Sequence, residues 1–298
     1  MVYPLLLRPV FKIGNYGGVG LMEKFGYDVE ENIEQAYLLT YGIFGENTVR
    51  NGKYAGCQLG EVIEKWGSEA LGNKAASNND FPIAVKLIDT KDRLSLKVNP
   101  DINETLYITD CKPDSKIIYG INRNVTRDEF YHRIKTNTLS EICNIVSVNK
   151  GDVFNINAGC IYAIGKDITA LCIKQNSDIS YRITDYGRVD INGKRLPLQT
   201  EKACEAACLT VSEAQSESEI TLYPFGIVTG LCDNGNYIAE HLSLNGKAAM
   251  LEKESFISVV MLSGEAVLSY PTGNMRLFKG DSVFVPAKEL LRAFSDPV

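Results

Sequence analysis

The stretch SLKVNPDINETLYITD, residues 95–110, decides how the chain is to be read. It has the form of a strand, a turn and a second strand, with Asn, Pro and Asp breaking the apolar runs. Lys97, Asn99 and Glu104 follow the spacing K-x-N-x4-E within it. Side chains two apart on a strand project to one face, so Lys97 and Asn99 are expected to converge inside whatever the strand encloses.

Outward from this stretch the same texture continues. Runs rich in Val, Ile, Tyr and Phe alternate with Gly, Asn and Asp turns, as in KIIYGINRN and ISVVMLSGEAVLSY, which marks a mainly β protein. Helical spacing is confined to residues 59–71, 126–135 and 197–209, with Thr126 as N-cap and Glu129 as its capping-box partner. The Asn-Gly pair in RVDINGKRLPL suits a tight hairpin. An internal repeat organises the rest: KGDVFNINAGCIYAI at 150–164 and KGDSVFVPAKELLRA at 279–293 share K-G-D-x3-[IV]-x-A. Two copies predict two jelly-roll barrels, because a Gly-Asp turn feeding an alternating strand is what a barrel corner requires. The polar segment 210–222 reads as a linker, dividing residues 1–209, with the first barrel and the helices, from a smaller second barrel at 223–298.

The 298 residues are 45% hydrophobic, enough for a large core. A net charge of −6, with 31 Lys and Arg scattered along the chain, gives no basic stripe for nucleic acid. The start MVYPLLLRPVF is too short an apolar run for a secretory segment and nothing later reaches spanning length, so a cytoplasmic protein without membrane contact is expected. None of the eight cysteines forms a C-x-x-C pair, and Cys204 and Cys208 lack companions for a zinc site, so small buried thiols are expected.

Two motifs resemble those of cupin barrels. Gly151, Asn157, Gly159 and Tyr162 fall on G-x5-P-x-G-x2-H, and Lys97, Asn99 and Glu104 match the two inward side chains and later Glu of the first motif. Four further segments, RPVFKIGNYGG, NGKYAGCQLGEVIEKW, FPIAVKLIDTKDRLSLKVNPD and KQNSDISYRITDYGR, carry the resemblance nearly end to end. On these the chain resembles the type I mannose-6-phosphate isomerase family in its short bacterial form.

That resemblance implies a sugar-phosphate pocket and a zinc ion held at the positions of Lys97, Asn99, Glu104 and Tyr162. Two His positions are here Asn99 and Tyr162, and a carboxamide and a phenol are poor zinc donors beside imidazole, so no metal cofactor is expected. The resemblance also places Lys86, Ser177, Asp178, Tyr181 and Arg182 among substrate and phosphate contacts. Other departures are Tyr16 and Tyr37 for Trp, Tyr41 for His and Cys172 for Glu. The remaining histidines, His132 and His241, are expected on a helix surface and on a strand, away from catalysis.

Three functions stay open. A sugar-phosphate-binding homologue with a degenerate metal site comes first. An active aldose–ketose isomerase in which Lys97, Glu104 and Tyr162 replace the metal, with Glu104 as base and Lys97, Glu104 and Arg182 as candidate catalytic residues, comes second. The same spacing suggests that Lys97 and Glu104 form an ion pair in the cation's place. The third is a partner-binding protein whose cleft is plugged by Tyr16, Tyr37, Tyr41 and Tyr162. Monomer and homodimer are both compatible with the sequence.

Overall fold

In a computed structural model of the protein, residues 2–73, 81–189, 193–211, 218–250, 254–287 and 291–295 are described. The fold is mainly β with a few short helices, built as two barrel-like sandwiches. The first barrel closes two sheets face to face. One has six strands in the order Val153–Ile156, Glu104–Cys111, Ile168–Gln175, Ile83–Thr90, Val10–Gly18 and Ile33–Leu39. The other has five: Tyr181–Thr184, Leu96–Val98, Ile161–Ile164, Lys116–Ile121 and Cys143–Ser147.

Alternation decides which residues face inward. Leu106 and Ile108 join Ile88, Ile117, Phe154 and Ile164 in an apolar interior drawn from both sheets. Thr105 and Tyr107 face the other way and meet His241 of a separate three-stranded sheet, Ile220–Tyr223, Gly226–Asp233 and Ile238–Leu244, and Tyr237 just before its last strand. The outer face of the five-stranded sheet is covered by the helices Arg127–Lys135 and Thr200–Ala206, through Phe130, Ala203 and Cys204 packed on Val98, Ile161 and Ile183.

The chain's first strand does not stay with the first barrel. Leu5–Arg8 pairs antiparallel with Ser282–Val285, which also pairs with Ile257–Val260. The segment 210–222, expected as a linker, lies outside the described residues at 212–217, and its end already belongs to the strand Ile220–Tyr223.

The repeat has a clear physical meaning. In each copy the Asp carboxylate accepts the amide hydrogen three residues earlier, Asn149 N–H to Asp152 at 2.8 Å and Phe278 N–H to Asp281 at 2.9 Å. The preceding glycine takes a left-handed φ, 96° at Gly151 and 91° at Gly280, and donates its amide to the carbonyl of Ile108, within a strand, or of Met261, just after one, at 2.8 Å. The same corner is thus built twice.

Three local expectations are corrected. The helix predicted over 59–71 breaks at Gly67, φ 57°, into Leu59–Trp66 and Ser68–Leu71. Thr126 does cap its helix by accepting from Glu129 N–H at 3.1 Å, but Glu129 turns its carboxylate to Arg123 and Arg133, which ion pairing favours over the second half of a capping box. The helix predicted over 197–209 is confined to Thr200–Ala206, so Cys208 lies beyond its end and exposed while Cys204 is buried. The Asn-Gly hairpin lies partly outside the described residues, at 190–192.

Candidate functional site

Strand register brings the polar interior of the first barrel together. Tyr37, Lys86 and Cys172 stand side by side across three strands, and Lys174 stands opposite Glu104 across the next pair. On the facing sheet, Arg182, Lys97, Tyr162 and Tyr119 form one row. Asn99 follows the strand Leu96–Val98, and its carbonyl accepts from Gly159 N–H at 2.8 Å, which ties the two motif turns together.

Glu104 is the centre of this constellation. Its Oε2 accepts from Tyr162 Oη at 2.5 Å and from Asn99 Nδ2 at 3.2 Å, and its Oε1 accepts from Cys172 Sγ at 2.9 Å. Asn99 Nδ2 also reaches Tyr162 Oη at 3.3 Å. Asn99, Glu104 and Tyr162 are each 1% exposed. Three lysines surround them. Lys86 Nζ donates to Gln35 Oε1 at 3.0 Å, sharing that oxygen with Tyr37 Oη at 2.9 Å. Lys97 Nζ lies 4.7 Å from the centre of the Tyr162 ring, and Lys174 Nζ 4.5 Å from that of Phe44. The expected contact pair of Lys97 with Glu104 is not made, since the carboxylate oxygens are already taken and the ammonium rests on a ring face.

The charges perturb one another strongly. Burial alone would raise the Glu104 carboxyl, but Lys97, Lys86 and Lys174, with the Cys172 thiol donating, hold it well below the usual carboxylate range. Burial and the neighbouring Lys86 push the Lys174 ammonium down to about 8 against the pull of Glu104. Lys97 is lowered by burial and by Lys86, again against Glu104. For Lys86 burial works against the charge, but the carboxylates of Glu104 and Glu34 act the other way, and its proton is held more firmly than usual. Burial and the Glu104 charge push the Tyr162 phenol and the Cys172 thiol upward, so both stay protonated at neutral pH.

The other sequence-derived candidates divide. Arg182 shares the inward row with Lys97, and its guanidinium donates to Ser95 Oγ at 3.2 Å and Pro197 O at 3.1 Å. Arg182 makes no ion pair with Asp185 or Asp178 among the described residues; Asp185 is bound instead by Arg188 at 2.6 Å and by Ser95. Tyr181 projects to the opposite face and packs toward the helices near Lys202. Ser177 folds onto its own turn by accepting from Ile179 N–H at 3.2 Å, and Asp178 is exposed.

The four tyrosines of the plug do not gather: Tyr37 and Tyr162 line the interior, Tyr41 bonds Glu64 at 2.9 Å, and Tyr16 stacks under Arg188. His132 is exposed and His241 stacks on Tyr107, 5.2 Å between ring centres. Lys174 and Gln35 were missed from sequence. Lys174 lies two residues after Cys172 on one strand, and that same-face spacing was the available signal. Among the described residues no group of three His, Cys, Asp or Glu side chains is placed to hold a metal ion, and no helix is long and apolar enough to cross a membrane.

No family model matches the chain. Its relatives are nonetheless specific. YvyI of Bacillus subtilis is 31% identical over 300 residues, covering 96% of this chain and 93% of that protein. ManA, a mannose-6-phosphate isomerase of the same organism, is 30% identical over 304 residues, covering 95% and 93%. The crystal structure of mannose 6-phosphate isomerase from Bacillus subtilis superposes with a TM-score of 0.90 at 28% identity, covering 98% of this chain and 96% of that one. Likeness at this identity over nearly the full length of both chains, together with the shared fold, places this chain in the type I mannose-6-phosphate isomerase family.

Proposed function

We propose that the protein binds a sugar phosphate in its first barrel without a metal ion, and isomerises it slowly or not at all. The observation that carries this reading is the state of Glu104, whose two carboxylate oxygens are committed to Tyr162, Asn99 and Cys172. Zinc takes lone pairs from imidazole, thiolate or carboxylate. The residues at Lys97, Asn99, Glu104 and Tyr162 do not fit it. Asn99 turns its Nδ2 inward, Tyr162 and Cys172 keep their protons, and Lys86, Lys97 and Lys174 supply positive charge that repels a divalent cation.

Glu104, with Lys97 and Arg182 a candidate catalytic group, is a weak base here. A carboxyl held well below its usual range has little drive to take a proton from a sugar carbon. Binding groups fare better. Arg182 has no carboxylate partner among the described residues and offers a fork suited to a phosphate, with Lys86 deeper in the same barrel. Ser177 and Asp178 serve as rim contacts, and Tyr181 steadies the strand that carries Arg182. A cytoplasmic setting accords with eight free thiols.

Calorimetry with mannose 6-phosphate and fructose 6-phosphate on protein dialysed against EDTA should give a heat of binding, and a coupled isomerase assay should give little turnover. Stoichiometric zinc in protein purified without added metal, or turnover abolished by EDTA, would overturn this reading.

A further inference from the structure

Buried charges are normally paired or hydrogen-bonded, because an ammonium taken out of water without a partner is costly. Lys174 breaks that rule. It is 6% exposed, its Nζ donates no hydrogen bond among the described residues, and its neighbour is the face of Phe44. Lys86 is 5% exposed and has, among the described residues, one neutral acceptor, the Gln35 Oε1 that Tyr37 also uses. Lys97 rests on the Tyr162 ring. Against these three cations stands one carboxylate among the described residues of the interior, Glu104, already engaged by Tyr162, Asn99 and Cys172. The next acid, Glu34, is paired with Lys12 at 3.5 Å and does not make up the difference.

We propose that the anion missing from this barrel belongs to the ligand: the carboxylate of a sugar acid phosphate, seated among Lys86, Lys97 and Lys174. The hydroxyl and carbonyl oxygens of a neutral sugar can solvate an ammonium but cannot neutralise it. An aldonate 6-phosphate differs from an aldose 6-phosphate by a carboxylate at C1, which adds the required charge with the least change in shape. Arg182, in register with Lys97 on the same face of the sheet, borders the lysine cluster and is left for the phosphate end. This deepens the reading of the barrel as a sugar-phosphate site and depends on it.

The test is calorimetry at pH 7 with mannonate 6-phosphate, mannose 6-phosphate and inorganic phosphate, on the wild type and on Lys174→Met and Lys174→Gln. The expected result is that mannonate 6-phosphate binds about 10-fold or more tightly than mannose 6-phosphate, the scale of one good charge-assisted contact. Either variant should reduce that ratio several-fold. Equal affinity for the two sugars, or an unchanged ratio in variants that unfold cooperatively like the wild type, would overturn the carboxylate proposal and leave the sugar-phosphate reading standing. Inorganic phosphate binding as tightly as mannonate 6-phosphate would also overturn it. Failure of every ligand to bind would overturn both.

Discussion

Lys174 and Glu104 stand directly opposite each other on adjacent strands, carry opposite charges and do not touch. Lys174 lies against Phe44, while Glu104 is held by Tyr162, Asn99 and Cys172. Their attraction acts through space and leaves the ammonium with unused hydrogen-bonding capacity.

Glu104→Gln should be strongly destabilising, because three buried ammonium groups lose their facing carboxylate. Breaking a buried ionic set by removing one partner costs about 3–5 kcal/mol. The folded carboxyl is depressed below its unfolded value, so its contribution is present above roughly pH 4.3 and is lost progressively as pH falls below that. Urea denaturation from pH 7 down to pH 3 should therefore show the gap between wild type and variant narrowing on the acid side.

Lys174→Met should stabilise the protein. Its ammonium is lowered to about 8 by burial and Lys86, from roughly 10.4 in the unfolded chain. Between those values the unfolded state binds more protons, so wild-type stability rises with pH there, and the penalty is full below pH 8. A gain of about 1–3 kcal/mol is expected at pH 7, shrinking toward pH 10. Paired denaturation curves remove the contributions of Lys86, Lys97, Glu104 and Cys172 to first order. A variant less stable than wild type at pH 7 would contradict the unpaired-charge account.

Imidazoles placed at positions 99 and 162 should create metal affinity. Asn99→His with Tyr162→His and Lys97→Gln replaces one carboxamide, one phenol and one ammonium by two good donors and a neutral group around Glu104. Elemental analysis after dialysis is expected to find near-stoichiometric zinc in the triple variant and almost none in the wild type.

Arg182→Ala should weaken mannose 6-phosphate binding by about 10- to 100-fold, the value of a charge-assisted phosphate grip. Stability should change little, since the side chain is half-buried and its acceptors, Ser95 Oγ and Pro197 O, border solvent. Calorimetry and thermal unfolding on one preparation separate the two effects.

The two corner glycines should respond unequally. Gly151→Ala and Gly280→Ala both place a side chain at a left-handed φ, which costs about 1 kcal/mol. A methyl at Gly151 meets open space, whereas at Gly280 it lies 2.9 Å from Phe25 O and close to Tyr27. Denaturation should show the larger loss for Gly280→Ala.

The sequence by itself determined what depends on short spacings and residue type: the β alternation, the shared face of Lys97 and Asn99, the cap at Thr126, the repeated Gly-Asp corner and the donor chemistry of Asn99 and Tyr162. Those features are fixed by φ, by side-chain period and by donor chemistry, all local. Tertiary structure alone decided what depends on register between distant strands: that Lys174 faces Glu104, that Cys172 donates to it, that Arg182 sits beside Lys97 while Tyr181 turns away, and that Leu5–Arg8 completes a sheet with Ser282–Val285. A one-residue slip in any of those pairings would send the same side chains to the opposite face. No spacing within a single segment can therefore reveal how much charge the barrel encloses.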